Sequence, residues 1–232
     1  MIGGGALGSD LPGVSWAWPN ASLAQRRALA RTHTEYVWGM IWFLQTDPAV
    51  PPAVRADMAD YGLCADEFLD TDPPHWPHQL YVREARRLVG DFVLTQNTPP
   101  EAYANRSIGL GSYAFDAHTI QRGLKNGTSD EPDAVNEGDI QSQPPAYIPA
   151  YRVPFDVMLP SRSQLTNVLA AVAVSASHVV FTSLRMEPTW MILGHAAGTA
   201  AATAARAGLD VQDVDVPTLQ ATLVAAGQHI VP

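Results

Sequence analysis

The amino-acid sequence predicts an α/β fold with a helical front and a β-rich middle. Apolar side chains recur at helical spacing between residues 21 and 44, which predicts one long helix. Short apolar runs separated by turn-forming residues lie between residues 107 and 181, and this pattern is typical of strands. The chain has 232 residues, 47% hydrophobic and 16% charged, so it can bury a substantial core in one or two domains.

Helices are expected where apolar periodicity meets capping residues. The first helix begins after Asn20 or Ser22, because both side chains can cap it. Proline begins the second helix, at a position where proline is tolerated, and Gly227 caps the last one. The helices predicted after the first cover residues 51–62, about 185–207 and 217–226.

Extended segments are expected between these helices. They are predicted around residues 80–83, 89–95, 107–121, 150–160 and 167–181. The last of them is apolar enough to be a strand buried on both faces. Residues 124–139 are polar and rich in turn formers, which predicts a flexible excursion from the fold.

Composition excludes several classes of protein. The net charge is −9 and no Lys/Arg run is interleaved with aromatic residues, so a nucleic-acid partner is not expected. Cys64 is the single cysteine, which excludes an intrachain disulfide framework and fits a reducing compartment. No signal peptide is visible after Met1, which together with the single cysteine favours a cytoplasmic location but leaves the localisation open. The Ala-rich run within 182–208 is too weakly apolar for a membrane span, and no membrane association is expected.

A dinucleotide-binding pattern occurs at the start of the chain. Gly3, Gly5 and Gly8 spell G-x-G-x-x-G, which binds a pyrophosphate only between a strand and a helix. Only two residues precede Gly3, and the sequence SDLPGVSW after Gly8 cannot begin a helix. The pattern is therefore interpreted as a glycine loop.

The most informative stretch is TSLRMEPTWMILGHAAGTAAATAARAG, residues 182–208. The predicted strand before it ends in Ser175, Ser177 and His178, and open α/β sheets bind ligands at such strand ends. The free N–H groups at the start of the small-residue helix suit an anionic or electron-rich ligand. Gly194 and Gly198 would let a flat ligand or another backbone approach. The alternative is a helix packed tightly on the sheet, with an Arg185–Glu187 ion pair.

Histidines and carboxylates suggest further chemistry. His75 and His78 are three residues apart, but Pro77 prevents the helical turn that would aim both at a metal, so a surface pair is expected. Asp116 and His118 are two residues apart on a predicted strand and would face the same side. They are interpreted either as a proton-transfer pair or as a strand-edge hydrogen bond.

An arginine cluster gives the candidate substrate contacts. Arg83, Arg86 and Arg87 are placed to hold a substrate carboxylate or hydroxyls, or to pair with Glu84 and Asp91 on the surface. No G-x-S-x-G motif occurs, so a serine hydrolase of the α/β type has no support.

Several long stretches together resemble the FAD-dependent oxidoreductase family of glutathione-reductase-like flavoproteins, members of which are sometimes mislabelled as xanthan lyases. The resemblance covers nearly the whole chain and is carried by WPNASLAQRRALARTHTEYVWGMIWFLQTDP, HWPHQLYVREARRLVGDFVLTQ, IGLGSYAFDAHTIQR and the run from YRVPFDVMLP to AARAG. It implies a three-layer FAD-binding domain interrupted by a substrate domain. Residues 1–150 would be the substrate domain with its N-terminal helices, and residues 151–232 the C-terminal part of the FAD-binding domain.

The same resemblance implies a flavin site. In this family a Ser-x-Arg-Met-Glu-Pro turn lies beside the flavin, and the following helix points its N-terminus at the ring. The residues that match this pattern and its flanks are Ser177, His178, Ser183, Arg185, Met186, Glu187, Pro188, Gly194 and Gly198. FAD is therefore the expected cofactor.

The expected reaction is hydride transfer from a C–H bond beside a hydroxyl or amine to the flavin. His78 or His118 would be the base, with Asp116 beside His118, and Arg83 and Tyr81 would bind the small-molecule substrate. Two alternatives remain open: a binding module without a redox role, and a carbohydrate-active lyase whose pocket uses Arg83, His78 and Tyr81.

The family's adenosine and pyrophosphate are held by an N-terminal βαβ unit. By this resemblance the unit would precede residue 1 by well over a hundred residues. The chain is therefore expected to be a truncated reading frame, or to have the nucleotide-binding half as a separate polypeptide partner.

Overall fold

A computed structural model describes residues 8–125, 133–138, 140–141 and 149–232. The chain divides into two compact units. The first unit comprises Met1–Ala85 and His118–Gly138, and the second comprises Arg86–Ala117 and Asp139–Pro232. The division at residue 150 into substrate and flavin parts stays a prediction.

Helices and short strands are both present, so the predicted α/β class is confirmed. The helices of the described residues are α1 (Leu23–Thr46), α2 (Pro52–Met58), α3 (His178–Leu184), α4 (Glu187–Ala207) and α5 (Val216–Ala225). The strands are β1 (Ser107–Gly111), β2 (Asp116–Ala117), β3 (Gln121–Lys125), β4 (Asp133–Glu137), β5 (Ile140–Gln141) and β6 (Tyr151–Pro154). They form three antiparallel pairs, β1–β6, β2–β5 and β3–β4. The three-layer arrangement stays a prediction.

The first unit is built on α1, which begins where the sequence predicts. Ser22 caps it with a capping box, in which Ser22 Oγ accepts from the Gln25 backbone N–H and Gln25 Oε1 accepts from the Ser22 N–H. Its predicted apolar stripe is only half-buried, and α1 has no fully buried residue. The second helix, α2, ends at Met58, before the predicted end at Gly62.

The second unit contains the apolar core. Helix α4 turns Leu193, Ala196, Ala200 and Ala204 toward it, a spacing of three and four residues that places all four on one face. Ile192 contacts Gly109 on β1 so closely that a Cβ at residue 109 would overlap it. The core therefore fixes α4 against the β1–β6 pair.

The predicted strand over residues 167–181 is wrong. These residues contain only an isolated parallel bridge, between Ala176 and Leu94, and α3 begins at His178. Ser177 Oγ accepts from the Val180 N–H, so capping starts a helix where the β-branched residues Val179 and Val180 favour a strand.

The small-residue helix predicted from about residue 185 to residue 207 is confirmed as α4, and a separate short helix, α3, precedes it. Helix α3 ends at Leu184, and Met186 has extended backbone angles before α4 begins. Pro188 explains the break: it has no N–H to donate to the Leu184 carbonyl, and its ring would clash with that carbonyl in a continuous helix.

The other extended predictions are partly right. Residues 107–121 form β1 and β2 with an interruption, and residues 150–160 form β6 followed by a 3-10 turn. Residues 89–95 form only the bridge at Leu94, and residues 80–83 lie outside any strand. The predicted excursion 124–139 contains β4 instead of loop alone, while residues 126–132 and 139 lie outside the described part.

The C-terminal helix is confirmed as α5. Asp215 caps it by accepting the Thr218 N–H at 2.9 Å, and Gly227 follows with a φ of +87°. Within the described ranges, no helix is both long and apolar enough to cross a membrane.

Candidate functional site

Arg185 holds the junction between α3 and α4. Its side chain is 6% exposed, and Nη2 donates to Asp116 Oδ2 at 2.5 Å and to the Asp116 carbonyl at 3.2 Å. Its Cζ lies 6.0 Å from the centroid of the Tyr113 ring, within cation–π range. Because the Arg185 side chain is buried, loss of the Asp116 carboxylate would leave a buried charge without that partner, so this contact ties the junction to β2.

Ser183 is fully buried on α3. Its hydroxyl donates to the Tyr113 carbonyl at 2.5 Å, so it must accept from the Tyr151 hydroxyl, 2.6 Å away. Burial raises the pKa of Tyr151 to about 12, and the hydrogen bond with Ser183 opposes this more weakly. The hydroxyl that the sequence pattern places beside a flavin is thus engaged on both sides by the protein.

The start of α4 presents the positive end of a 21-residue helix. Met186 precedes the helix without a side-chain cap, and Glu187 and Pro188 are exposed. One turn in, the indole N–H of Trp190 is buried and finds no acceptor among the described residues. An uncapped helix terminus and an unused N–H donor therefore lie in the same turn.

The two glycines of α4 lie on its exposed side. A Cβ added at Gly194 or Gly198 would meet no atom within 4 Å. The alternative of tight packing therefore applies to the opposite face of the helix, where the alanines are buried, and not to these glycines. The glycine face is open to another group.

Ser177 and His178 lie at the other end of α3. Ser177 donates to Gln96 Oε1 at 3.2 Å in addition to capping the helix, and His178 is the first helical residue. Seven residues span about 10 Å of α-helix, so these two residues and the start of α4 are separated by the length of α3.

A second group of polar residues surrounds His118 in the first unit. Nδ1 of His118 lies 2.6 Å from Asp10 Oδ2, and Nε2 lies 2.8 Å from Arg83 Nη2. The Cζ of Arg83 lies 5.9 Å from the Tyr81 ring centroid. The structure therefore brings together three residues that the sequence singles out, His118, Arg83 and Tyr81, and adds Asp10.

Asp116 and His118 have different surroundings. The carboxylate of Asp116 binds Arg185, whereas the carboxylate at Nδ1 of His118 is that of Asp10. The argument that two residues two apart face the same side applies only within a strand, and β2 ends at Ala117.

The other candidates lie at the surface or in structural roles. His78 is exposed and its ring packs edge-on against Phe68, with centroids 6.0 Å apart. His75 Nδ1 lies 3.2 Å from the Glu67 carbonyl oxygen. Arg87 donates to the Ala176 carbonyl at 3.1 Å, so it supports the segment that leads into α3. Gly3 and Gly5 of the glycine pattern lie outside the described residues.

Asp10, Tyr151 and Trp190 are candidate functional residues that sequence reasoning missed. Asp10 stands in a loop and contacts a histidine 108 positions away, and Tyr151 meets a serine 32 positions away. Neither contact has a local sequence signal. Trp190 could be singled out from the sequence, because it stands three residues after Glu187, in the first turn of the helix that is predicted to bind a ligand.

Comparison with models of protein families gives a match over most of the chain. A family model described as FAD dependent oxidoreductase matches residues 9–223. No curated protein and no solved structure matches the chain.

Proposed function

The chain belongs to the FAD dependent oxidoreductase family, and on this premise we propose that it forms the substrate-binding and C-terminal flavin-binding part of an enzyme that oxidises a small molecule. The bond oxidised is a C–H bond beside a hydroxyl or amine. When bound, FAD supplies the isoalloxazine ring, which accepts the hydride from that carbon.

The start of α4 is the observation that carries this proposal. The uncapped helix terminus attracts electron-rich groups. The buried indole N–H of Trp190 needs an acceptor, and a flavin ring carries several carbonyl oxygens and ring nitrogens. The open face at Gly194 and Gly198 has room for a flat ring system. The residues present therefore fit the cofactor.

The proposal gives each predicted site residue a role. Met186, Glu187 and Pro188 border the ring at the start of α4, and Gly194 and Gly198 give it room. Arg185 and Ser183 position this turn from beneath through their buried contacts with Asp116 and Tyr151. Ser177 and His178 form the far end of α3.

The substrate side of the proposal rests on the first unit. His118 accepts the hydroxyl or amine proton at Nε2, while Arg83 and Tyr81 bind the substrate. His78 is the alternative base, since it is exposed. We assign the adenosine and pyrophosphate of FAD to a dinucleotide-binding βαβ unit, on the same chain or on a separate one.

The test introduces large side chains on the exposed face of α4 that carries Gly194 and Gly198. In the full gene product, a Cβ at residue 194 or 198 meets no atom of the described chain within 4 Å, so we expect the fold to tolerate Gly194→Leu and Gly198→Leu. If the flavin lies there, each change should weaken FAD binding at least about tenfold, a loss of about 1.4 kcal/mol. Bound FAD is measured by absorbance per chain, and affinity by quenching of flavin fluorescence.

The matched control is Ala205→Leu. Ala205 is exposed on the same helix, about 16 Å beyond Gly194 at 1.5 Å per residue, so leucine there should leave FAD binding unchanged. Full FAD affinity in both glycine variants would contradict the flavin position. Failure of the unaltered, folded gene product to bind FAD would contradict the proposed function itself.

A further inference from the structure

Asp10, His118 and Arg83 form a line of hydrogen bonds in the first unit. Asp10 Oδ2 lies 2.6 Å from one imidazole nitrogen of His118, and Arg83 Nη2 lies 2.8 Å from the other. The side chains of His118 and Asp10 are 25% and 30% exposed. The group is thus partly shielded and still reachable by a small molecule.

The chemistry of the two partners fixes where the imidazole proton lies. A guanidinium has five N–H donors and no acceptor, so Nε2 of His118 must present its lone pair to Arg83. The neutral ring then carries its proton on Nδ1, which donates it to the Asp10 carboxylate. Both partners favour the same tautomer.

In this tautomer the basic nitrogen of His118 is Nε2, the nitrogen that is hydrogen-bonded to Arg83. A histidine base must be within hydrogen-bond reach of the proton it takes, and Nε2 cannot meet a substrate while the guanidinium occupies its lone pair. The base therefore requires that Arg83 leave Nε2 first. Arginine binds carboxylates with two parallel hydrogen bonds, a stronger contact than one bond to a neutral imidazole.

We propose that Arg83 is a substrate-operated cap on His118, and that the substrate is a small hydroxy or amino carboxylate. The substrate carboxylate takes the Arg83 guanidinium from Nε2, and the freed nitrogen meets the substrate hydroxyl or amine. Asp10 is the positioning residue that keeps the proton on Nδ1 throughout. Tyr81, a residue that is 64% exposed, flanks the guanidinium. The base role of His118 in this inference rests on the proposed function.

The tautomer can be measured without flavin or turnover. In the full chain labelled with ¹⁵N-histidine, two-dimensional ¹H–¹⁵N NMR at neutral pH should show His118 with a protonated Nδ1 and a bare Nε2. Asp10→Ala removes the acceptor and should move part of the population to the Nε2–H form. Asp10→Glu keeps a carboxylate acceptor and should restore the Nδ1–H form. A wild-type His118 protonated on Nε2 would overturn the inference.

The cap is tested with L-lactate as the probe and lactamide as its uncharged counterpart. Lactate should shift the Nε2 resonance as Arg83 leaves it, whereas lactamide at the same concentration should not. Arg83→Met should weaken lactate binding about tenfold or more, since it removes a charged hydrogen-bond partner. Arg31→Met, at an arginine exposed on α1, should not weaken it.

The outcomes separate the two proposals. Equal responses to lactate and lactamide, or lactate binding unaffected by Arg83→Met, would refute the cap and leave the flavin proposal standing. Loss of FAD binding at the glycine face of α4 bears only on the proposed function, because the NMR experiment contains no flavin.

Discussion

The hydrogen-bond chain through Ser183 makes a quantitative prediction about stability. Tyr151 donates to Ser183, and Ser183 donates to the Tyr113 carbonyl, all in the second unit. Ser183 has no exposed surface, and burial dominates the electrostatics of Tyr151. Removing the middle member should therefore cost more than removing the end.

The magnitudes follow from which groups lose their partners. Tyr151→Phe removes one donor, while Ser183 still reaches the Tyr113 carbonyl, so the free energy of unfolding should fall by about 1 kcal/mol. Ser183→Ala leaves both the Tyr151 hydroxyl and the Tyr113 carbonyl without their partner. At about 1–2 kcal/mol each, this loss totals about 2–4 kcal/mol.

The double variant completes the cycle. With Tyr151→Phe already present, Ser183→Ala strands only the Tyr113 carbonyl, so the double variant should cost less than the two single losses combined. The coupling should be about 1 kcal/mol. Urea unfolding followed by circular dichroism measures all four free energies, and an unchanged slope with urea shows that the folded and unfolded states are otherwise comparable.

Two results would refute this reasoning. Additive losses would show that the two hydroxyls do not depend on each other. Unchanged stability in Ser183→Ala, accompanied by loss of FAD binding, would show that Ser183 serves the cofactor directly, as the family pattern alone implies. The structure predicts the reverse. Ser183→Ala should lower the free energy of unfolding, and it should weaken FAD binding only to the extent that the α3–α4 turn moves.

Two further predictions concern proton transfer. Burial raises the pKa of Tyr151 from 10.0 to about 12. Between these pH values the folded state keeps a proton that the unfolded chain releases. The free energy of unfolding should therefore fall by about 2–3 kcal/mol as the pH rises from about 10 to 12. Tyr151→Phe should lack this fall in urea unfolding at those pH values; an identical fall would assign it to other groups. His118→Asn should slow flavin reduction about 10²–10⁴-fold in stopped-flow absorbance, with little change in substrate affinity; an unchanged rate would leave His78 as the base.

Helix boundaries that depend on local chemistry could be read from the sequence. Ser22 and Gln25 form a capping box within four residues, so the start of α1 needs no tertiary information. Ser177 also caps a helix, α3, but Val180 stands where a capping box has Glu or Gln, so the local signal is weaker. The apolar, β-branched run around it suggested a strand instead, because burial on both faces looks alike for a strand and a buried helix.

The candidate site could be predicted only in part, because its contacts join distant parts of the chain. The motif at residues 183–188 identified the α3–α4 turn from the sequence. Which of its side chains face inward depends on Tyr151 and Asp116, which lie on other elements. Likewise, His118 was identifiable as a candidate base, but its orienting carboxylate, Asp10, is 108 positions away.

Helix α4 carries small residues on two faces, and only one of them is explained by packing in the described chain. Ala196, Ala200 and Ala204 are buried, so larger side chains there would not fit the core. Gly194 and Gly198 have free space beside them, yet each glycine in a helix interior costs about 1 kcal/mol relative to alanine. No contact of the described residues offsets that cost. A flavin against this face would offset the cost of the glycines, because a Cβ at either position would then occupy space that the ring needs. Comparing the FAD affinity of Gly194→Leu with that of Ala205→Leu would measure this effect.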